Sequence, residues 1–350
     1  MRHLTVVLAI LANCLSGQTW INHDSGVTAS LRGVSAVNDR VVWASGSGGT
    51  YLLTTDGGVT WRAAIVPGAE TLDFRGVHAL NASSAYLLAS GPGEKSRIYK
   101  TTDSGAHWTL QFTNPDSKGF FDAIAFWDTL HGIVLGDPVD GAFVILTTSD
   151  GGEHWLRQHT PPALPSEGAF AASNSCLIVR VPHKAWFGTG GPRGARVFHS
   201  EDSGRTWTVA QTPVRNDGAP AGIFSLAFSD ARHGMAVGGD YTEPAETEHN
   251  IAVTSDGGQT WIEPVGSHPH GYRSAIAFVP DKKMWVAAGT TGSDVSYDDG
   301  RTWTLFDSGA FNALSFISSK TGWAVGPNGR LASYVGRFPD LPIKTARPVR

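Results

Sequence analysis

Cysteine is nearly absent: two residues in 350, Cys14 and Cys176. A chain of this size therefore needs no disulfide framework. Basic excess is lacking too, since Lys and Arg number 27 against 31 Asp and Glu, for a net charge of −4. Without a general basic field, nucleic acid is not expected as a partner. Apolar residues recur nowhere with a sustained helical period, which excludes a helix bundle. A membrane-spanning run is also missing, because the apolar stretch LTVVLAILA (4–12) is too short to cross a bilayer. Arg2 and His3 before it, and small or polar residues after it, read as a secretory signal peptide over residues 1–17. Leu11-Ala12-Asn13-Cys14 also resembles a lipoprotein signal, which would acylate Cys14 and anchor an exported, periplasmic or extracellular protein.

What is present is glycine, tryptophan and one turn repeated six times. The turns are TTDGGVTW, TTDSGAHW, TSDGGEHW, SEDSGRTW, TSDGGQTW and SYDDGRTW. Their aspartates are Asp56, Asp103, Asp150, Asp202, Asp256 and Asp298; five residues after each stands Trp61, Trp108, Trp155, Trp207, Trp261 or Trp303. Successive aspartates lie 47, 47, 52, 54 and 42 residues apart, the length of a four-stranded propeller blade. The second unit shows the order within a blade. FRGVHAL (74–80) alternates as an inner strand, AYLLAS (85–90) follows, RIYKTT (97–102) enters the turn, and HWTLQF (107–112) is outermost.

Seven inner-strand openings accompany six turns: LRGVSAV, FRGVHAL, FDAIAFW, AFAASNS (from Ala169), IFSLAFS, YRSAIAF and FNALSFI. The last unit stops without an outer strand, while QTWINHDSG (18–26) is similar to RTWTLFDSG (301–309), with Trp20 in the place of Trp303. The reading is an all-β, seven-bladed propeller of four-stranded blades over residues 18–337, closed by the N-terminal strand joining the last blade. A Pro-rich, basic tail over 338–350 reads as a flexible extension. In each turn the Asp carboxylate can accept backbone N–H groups, the following Gly can take a positive φ, and the Trp buries its ring at a blade interface. Six identical contexts make these residues scaffold.

The turns match the Asp-box, or bacterial neuraminidase repeat, Ser/Thr-x-Asp-x-Gly-x-x-Trp. With the leader and the closing first strand, the layout resembles the photosystem II stability and assembly factor family over about residues 18–337. That resemblance implies an exported, non-catalytic propeller that holds a protein or peptide partner on a basic patch of one face, with no cofactor and no metal.

Loops between second and third strands share a face with the loops entering each inner strand, and the long ones cluster there, at 91–97, 136–142, 161–168, 188–196, 238–250 and 266–271. Binding is expected around the channel mouth on that face. Alignment of the units puts Arg32, Arg75, Asp122, Arg273 and Asn312 at the second position of their inner strands, with Asp240 and Tyr241 on the long fifth-blade loop. Three converging arginines would clamp a carboxylate or phosphate. The alternative is a carbohydrate-active enzyme or glycan-binding module. A sialidase-like site would use the arginines with Tyr241 as nucleophile and Glu243 or Glu246 as its activator, although FRGV departs from the sialidase Phe-Arg-Ile-Pro signature. His249, His268 and His270 read as solvated loop histidines, and Cys176 in SCLIVRV as an inert buried thiol.

Overall fold

The computed structural model describes residues 19–336. The expected signal peptide, the acylation at Cys14 and the tail over 338–350 fall outside them. Seven antiparallel sheets follow one another around a ring, each formed from consecutive strands except the closing one. Blade 1 comprises Leu31–Ala36, Val42–Gly46, Thr50–Thr54 and Arg62–Ile65, from the channel outward. The inner strands of blades 2 to 7 are Phe74–Ala79, Phe121–Phe126, Leu177–Arg180, Ala221–Phe228, Ala275–Val279 and Ala313–Ser318. Among the described residues, helix amounts to two short 3-10 turns, Gly93–Lys95 and Pro280–Lys282.

Closure follows the expectation from the sequence. Thr19–His23 pairs antiparallel with Leu331–Val335, Trp20 lying opposite Tyr334. The Trp20 indole sits within 6.0 Å of Phe306, Phe311, Phe316 and Tyr334, and its N–H reaches Ser293 Oγ at 3.0 Å. The seventh interface is thus held by side chains from both ends of the described chain.

Apolar packing divides into seven clusters, one at each junction between neighbouring blades. Second strands such as Ala85–Ala89 and Met284–Gly289 are buried on both faces, as strands sandwiched between sheets must be. Outer strands such as Arg62–Ile65 face water. In blade 5 the outermost strand shrinks to one reciprocal bridge, Val253 to Ile262. Pro264, two residues on, has no N–H to continue the ladder.

The motif turns lie together on one face and share one hydrogen-bond pattern. Asp56 Oδ1 accepts the Thr60 N–H at 2.9 Å and the Thr54 hydroxyl at 2.8 Å; Oδ2 accepts the Thr60 hydroxyl at 2.6 Å. These bonds, led by the Thr60 hydroxyl and then its N–H, hold the Asp56 carboxyl down at about 2. In two turns histidine replaces that threonine, and His107 Nδ1 meets Asp103 Oδ2 at 2.6 Å. The turn docks on the preceding blade: Tyr51 Oη donates to Gly105 O at 2.6 Å and Trp186 Nε1 to Gly257 O at 2.8 Å. A Cβ on Gly105 would lie 2.7 Å from the Tyr51 ring, and its φ of 81° suits glycine as well. The tryptophans complete the interfaces: Trp61 packs edge-on to Trp323 and Trp108 to Tyr51.

Blade 4 departs from the expected alignment. AFAASNS is not its inner strand; that strand is Leu177–Arg180, and Cys176 lies buried just before it. Asn174 adopts a left-handed φ of 65°, which breaks strand geometry. Its amide instead clasps blade 3, accepting from Ile124 N at 2.8 Å and donating to Ile124 O at 3.0 Å.

Candidate functional site at the channel mouth

The inner strands of blades 1, 2, 3 and 5 each carry a register shift near their start, at Leu31/Gly33, Phe74/Gly76, Phe121/Ala123 and Ile223/Ser225. The extra residues at these bulges are Arg32, Arg75, Asp122 and Phe224. A bulged residue leaves the ladder and its side chain is re-aimed; here all four line one cavity of about 450 Å³. Every blade contributes to its wall. Phe120 and Asp137 come with blade 3, residues 169–172 with blade 4, Tyr241 with blade 5, Tyr272, Ser274 and Thr290 with blade 6, and Asn312 with blade 7.

Residues 169–172 lie across this mouth. Arg32 Nη2 and Arg75 Nη1 both donate to Ala171 O, at 3.3 and 3.4 Å. These contacts are long for a charged donor, whose bonds to anions usually run about 2.7–2.9 Å. Buried Glu167 holds the segment from outside the cavity. It accepts Arg196 Nε at 2.8 Å and Nη2 at 2.5 Å, the Thr189 hydroxyl at 2.6 Å and Leu164 N at 2.7 Å. Inside, Phe170 stacks on Phe224 with centroids 3.8 Å apart, and Tyr272 and Tyr241 stand edge-on to Phe224.

The charges are unevenly satisfied. Arg75 Nε pairs with Asp73 Oδ2 at 2.7 Å, and burial, then the Arg75 charge, lowers the Arg32 pKa. Neither Asp122 oxygen has a hydrogen-bond partner, although the residue is 1% exposed, and Arg32 Nε is likewise unpartnered. Burial, then neighbouring Asp137, pushes the Asp122 carboxyl well above the usual range, against the opposing Arg75 charge.

Arg32, Arg75, Asp122, Asn312 and Tyr241 of the sequence-derived set therefore meet at one cavity. Arg273 does not join them, and three converging arginines reduce to two. Arg273 is fully buried, its Nε and Nη2 on Asp294 Oδ2 at 2.7 and 2.5 Å, its remaining donors on Tyr272 O, Thr291 Oγ1 and His270 O. Arg273 occupies the first, buried strand position, its N–H on Gly238 O as the Phe311 N–H is on Gly289 O, and Ser274 takes the second position at the mouth; buried Asp294, on the third strand of the same blade, supplies the counter-charge of Arg273. Asp240 is buried beside the site and closes its own turn, accepting Thr242 N at 2.7 Å and the Thr242 hydroxyl at 2.6 Å. Glu243 is held by Arg215 at 2.5 Å rather than by Tyr241. Phe170 and Phe224 were overlooked because the reading collected only polar residues at the second inner-strand position, which both also occupy in the aligned units. Among the described residues no cluster of three potential metal ligands occurs.

A closed seven-bladed β-propeller with a small polar-aromatic cavity at one channel mouth is thus the class this fold defines. No family model and no curated protein matches the chain. Solved structures do. The chain is similar to YCF48 bound to D1 peptide, at 18% identity and a TM-score of 0.64, covering 91% of this chain and 96% of that one. It is similar also to YCF48 from Cyanidioschyzon merolae, at 18% identity and a TM-score of 0.63, covering 90% and 98%. The WD40 β-propeller domain of Doa1 matches at 13% identity and a TM-score of 0.60, covering 92% and 98%. At such identities these likenesses establish the seven-bladed fold.

Proposed function

We propose that this chain is an exported, non-catalytic Asp-box propeller that binds a protein or peptide at the channel mouth, in the manner of photosystem II assembly and stability factors. The observation that carries the reading is the mouth itself, where two bulge-borne arginines and an aromatic cluster converge from separate blades on one cavity. The size of the cavity suits a side chain or chain end rather than a folded domain. The fold shared with YCF48, one structure of which holds a D1 peptide, supports a peptide as ligand. The enzyme alternative is disfavoured because Glu243 is engaged by Arg215 and Glu246 accepts the Thr247 and Glu248 N–H groups, so that neither stands as activator for Tyr241.

Strand direction adds a consequence for export. The third strand of every blade runs from the mouth face toward the motif turns, so Thr19 and its partner Val335 lie at the motif-turn end of blade 7. The described chain therefore starts on the face opposite the mouth, an arrangement that suits an exported protein whose partner approaches the mouth.

The test is selection from a displayed random-peptide library. Wild type should enrich a shared sequence that Arg32→Ala/Arg75→Ala no longer captures, with thermal unfolding unchanged. No enrichment, or enrichment insensitive to both arginines, removes the proposal. Turnover of aryl glycosides that is lost in Tyr241→Phe establishes the enzyme reading instead.

A further inference from the structure

Asp122 is the least explained residue of the molecule. Native interiors seldom leave a buried carboxyl without any hydrogen bond, and burying it ionised and unpaired is costly. Here both oxygens lack a hydrogen-bond partner among the described residues, and the neighbouring Arg75 Nε is paired with Asp73 instead. The nearby Asp137 N–H is already donated to Phe120 O at 2.9 Å. The groups facing Asp122 are the Asp137 carboxyl of its own blade, the Arg75 guanidinium of blade 2 and the Cys176 thiol of blade 4, with Arg32 and Asp73 further around the mouth. Two neighbouring buried carboxyls share one proton more readily than both ionise. The Ala169 N–H donates to Asp137 Oδ1 at 2.9 Å and favours the ionised form there. The proton then falls to Asp122, whose one neighbouring donor, the Asp137 N–H, is committed to Phe120 O and favours the ionised form too weakly to offset burial.

With Asp122 neutral, Arg32 and Arg75 balance Asp73 and Asp137, and an entering anion meets two guanidiniums and a carboxylic O–H. With Asp122 ionised, the same mouth carries an excess negative charge beside the arginines. Resting on the reading of the mouth as a binding site, we propose that Asp122 is kept as a neutral carboxylic acid and decides whether the mouth accepts a carboxylate group of a peptide ligand. The carboxylate displaces the weakly held Ala171 carbonyl from between the arginines, and it binds while the proton remains on Asp122. No covalent step is involved. A proton buried with the anion makes affinity fall about tenfold for each pH unit above the point at which free Asp122 ionises.

Two measurements test this with the full chain. In carboxyl-labelled aspartate NMR of the free protein, the resonance missing from Asp122→Asn should remain that of a protonated acid at neutral pH; titration in the ordinary aspartate range overturns the proposal. Benzoate serves as a carboxylate probe suited to the aromatic wall, with benzamide as its neutral counterpart. Wild type should bind benzoate equally from mildly acidic to neutral pH and lose it progressively at alkaline pH, above the point at which the labelled Asp122 resonance titrates, while its affinity for benzamide stays level there, and Asp122→Asn should bind benzoate with little pH dependence. The same pH dependence in Asp122→Asn, or no benzoate binding at any pH, overturns the proposal. Failed peptide capture with benzoate binding intact counts against the peptide reading alone.

Discussion

The two ends of the channel are built by opposite rules. On the motif-turn face, six turns repeat one hydrogen-bond set in which the carboxylate, the hydroxyl and the backbone N–H groups satisfy one another. On the other face the blades differ, apart from the bulged arginines shared by blades 1 and 2: a left-handed Asn174 and a blade-crossing segment replace regular entry, and the Asp122 carboxyl is left unsatisfied. Repetition of one shared hydrogen-bond set marks scaffold, whereas irregularity around an unpaired buried carboxyl is where a partner can be recognised.

The contrast is broken most severely by touching the buried ion pair of Arg273, a residue that the sequence reading assigned to the mouth. Arg273→Ala strands Asp294 in the interior and should destabilise by about 3–5 kcal/mol, read by denaturant unfolding. A mutant of near wild-type stability would return Arg273 to the list of mouth residues. Trp20→Ala removes the ring that closes blade 7 and should cost about 3–5 kcal/mol, with hydrogen exchange rising first along Thr19–His23 and Leu331–Val335. Exchange rising equally in every blade would contradict closure at that seam.

Acid should act on the turns in concert. The Asp56 carboxyl, held at about 2 in the fold, ionises near the ordinary 3.9 when unfolded. Its stabilisation is therefore present above the unfolded value and is lost as pH falls from about 4 toward 2. Thermal melting of wild type should decline across that window, and Asp56→Ala should flatten part of the decline while lowering Tm modestly at neutral pH. A melting temperature insensitive to pH there would contradict the hydrogen-bonded turn. The smallest effect is expected from His107→Thr, which recreates the pairing of the other turns and should leave Tm within a degree or so of wild type. A shift of many degrees would mean that the histidine turns are a distinct device.

The ring was legible in the sequence because the repeat carries its own geometry. Asp-Gly-Trp spacing sets the blade length, and the match of Trp20 to Trp303 marks the closing strand that pairs with Leu331–Val335. The mouth was legible in part. Aligning the inner strands placed Arg32, Arg75, Asp122 and Asn312 correctly because those openings share one register. Arg273 escaped because YRSAIAF runs one residue out of step with the other openings: Ala275 opposite Ala288 matches Gly33 opposite Ser45, so Ser274 holds the second position and Arg273 the buried first. The blade 4 entry escaped because AFAASNS has the composition of an inner strand, while its conformation is set by contacts of Asn174 and Ala171 with three other blades.

Hydrogen exchange of the protein with and without a selected peptide tests the central contrast most directly. Protection is predicted at the inner-strand openings around Arg32, Arg75 and Asp122 and along residues 169–172, with all six motif turns unchanged. Protection confined to the motif turns, with the mouth unaffected, would contradict the account.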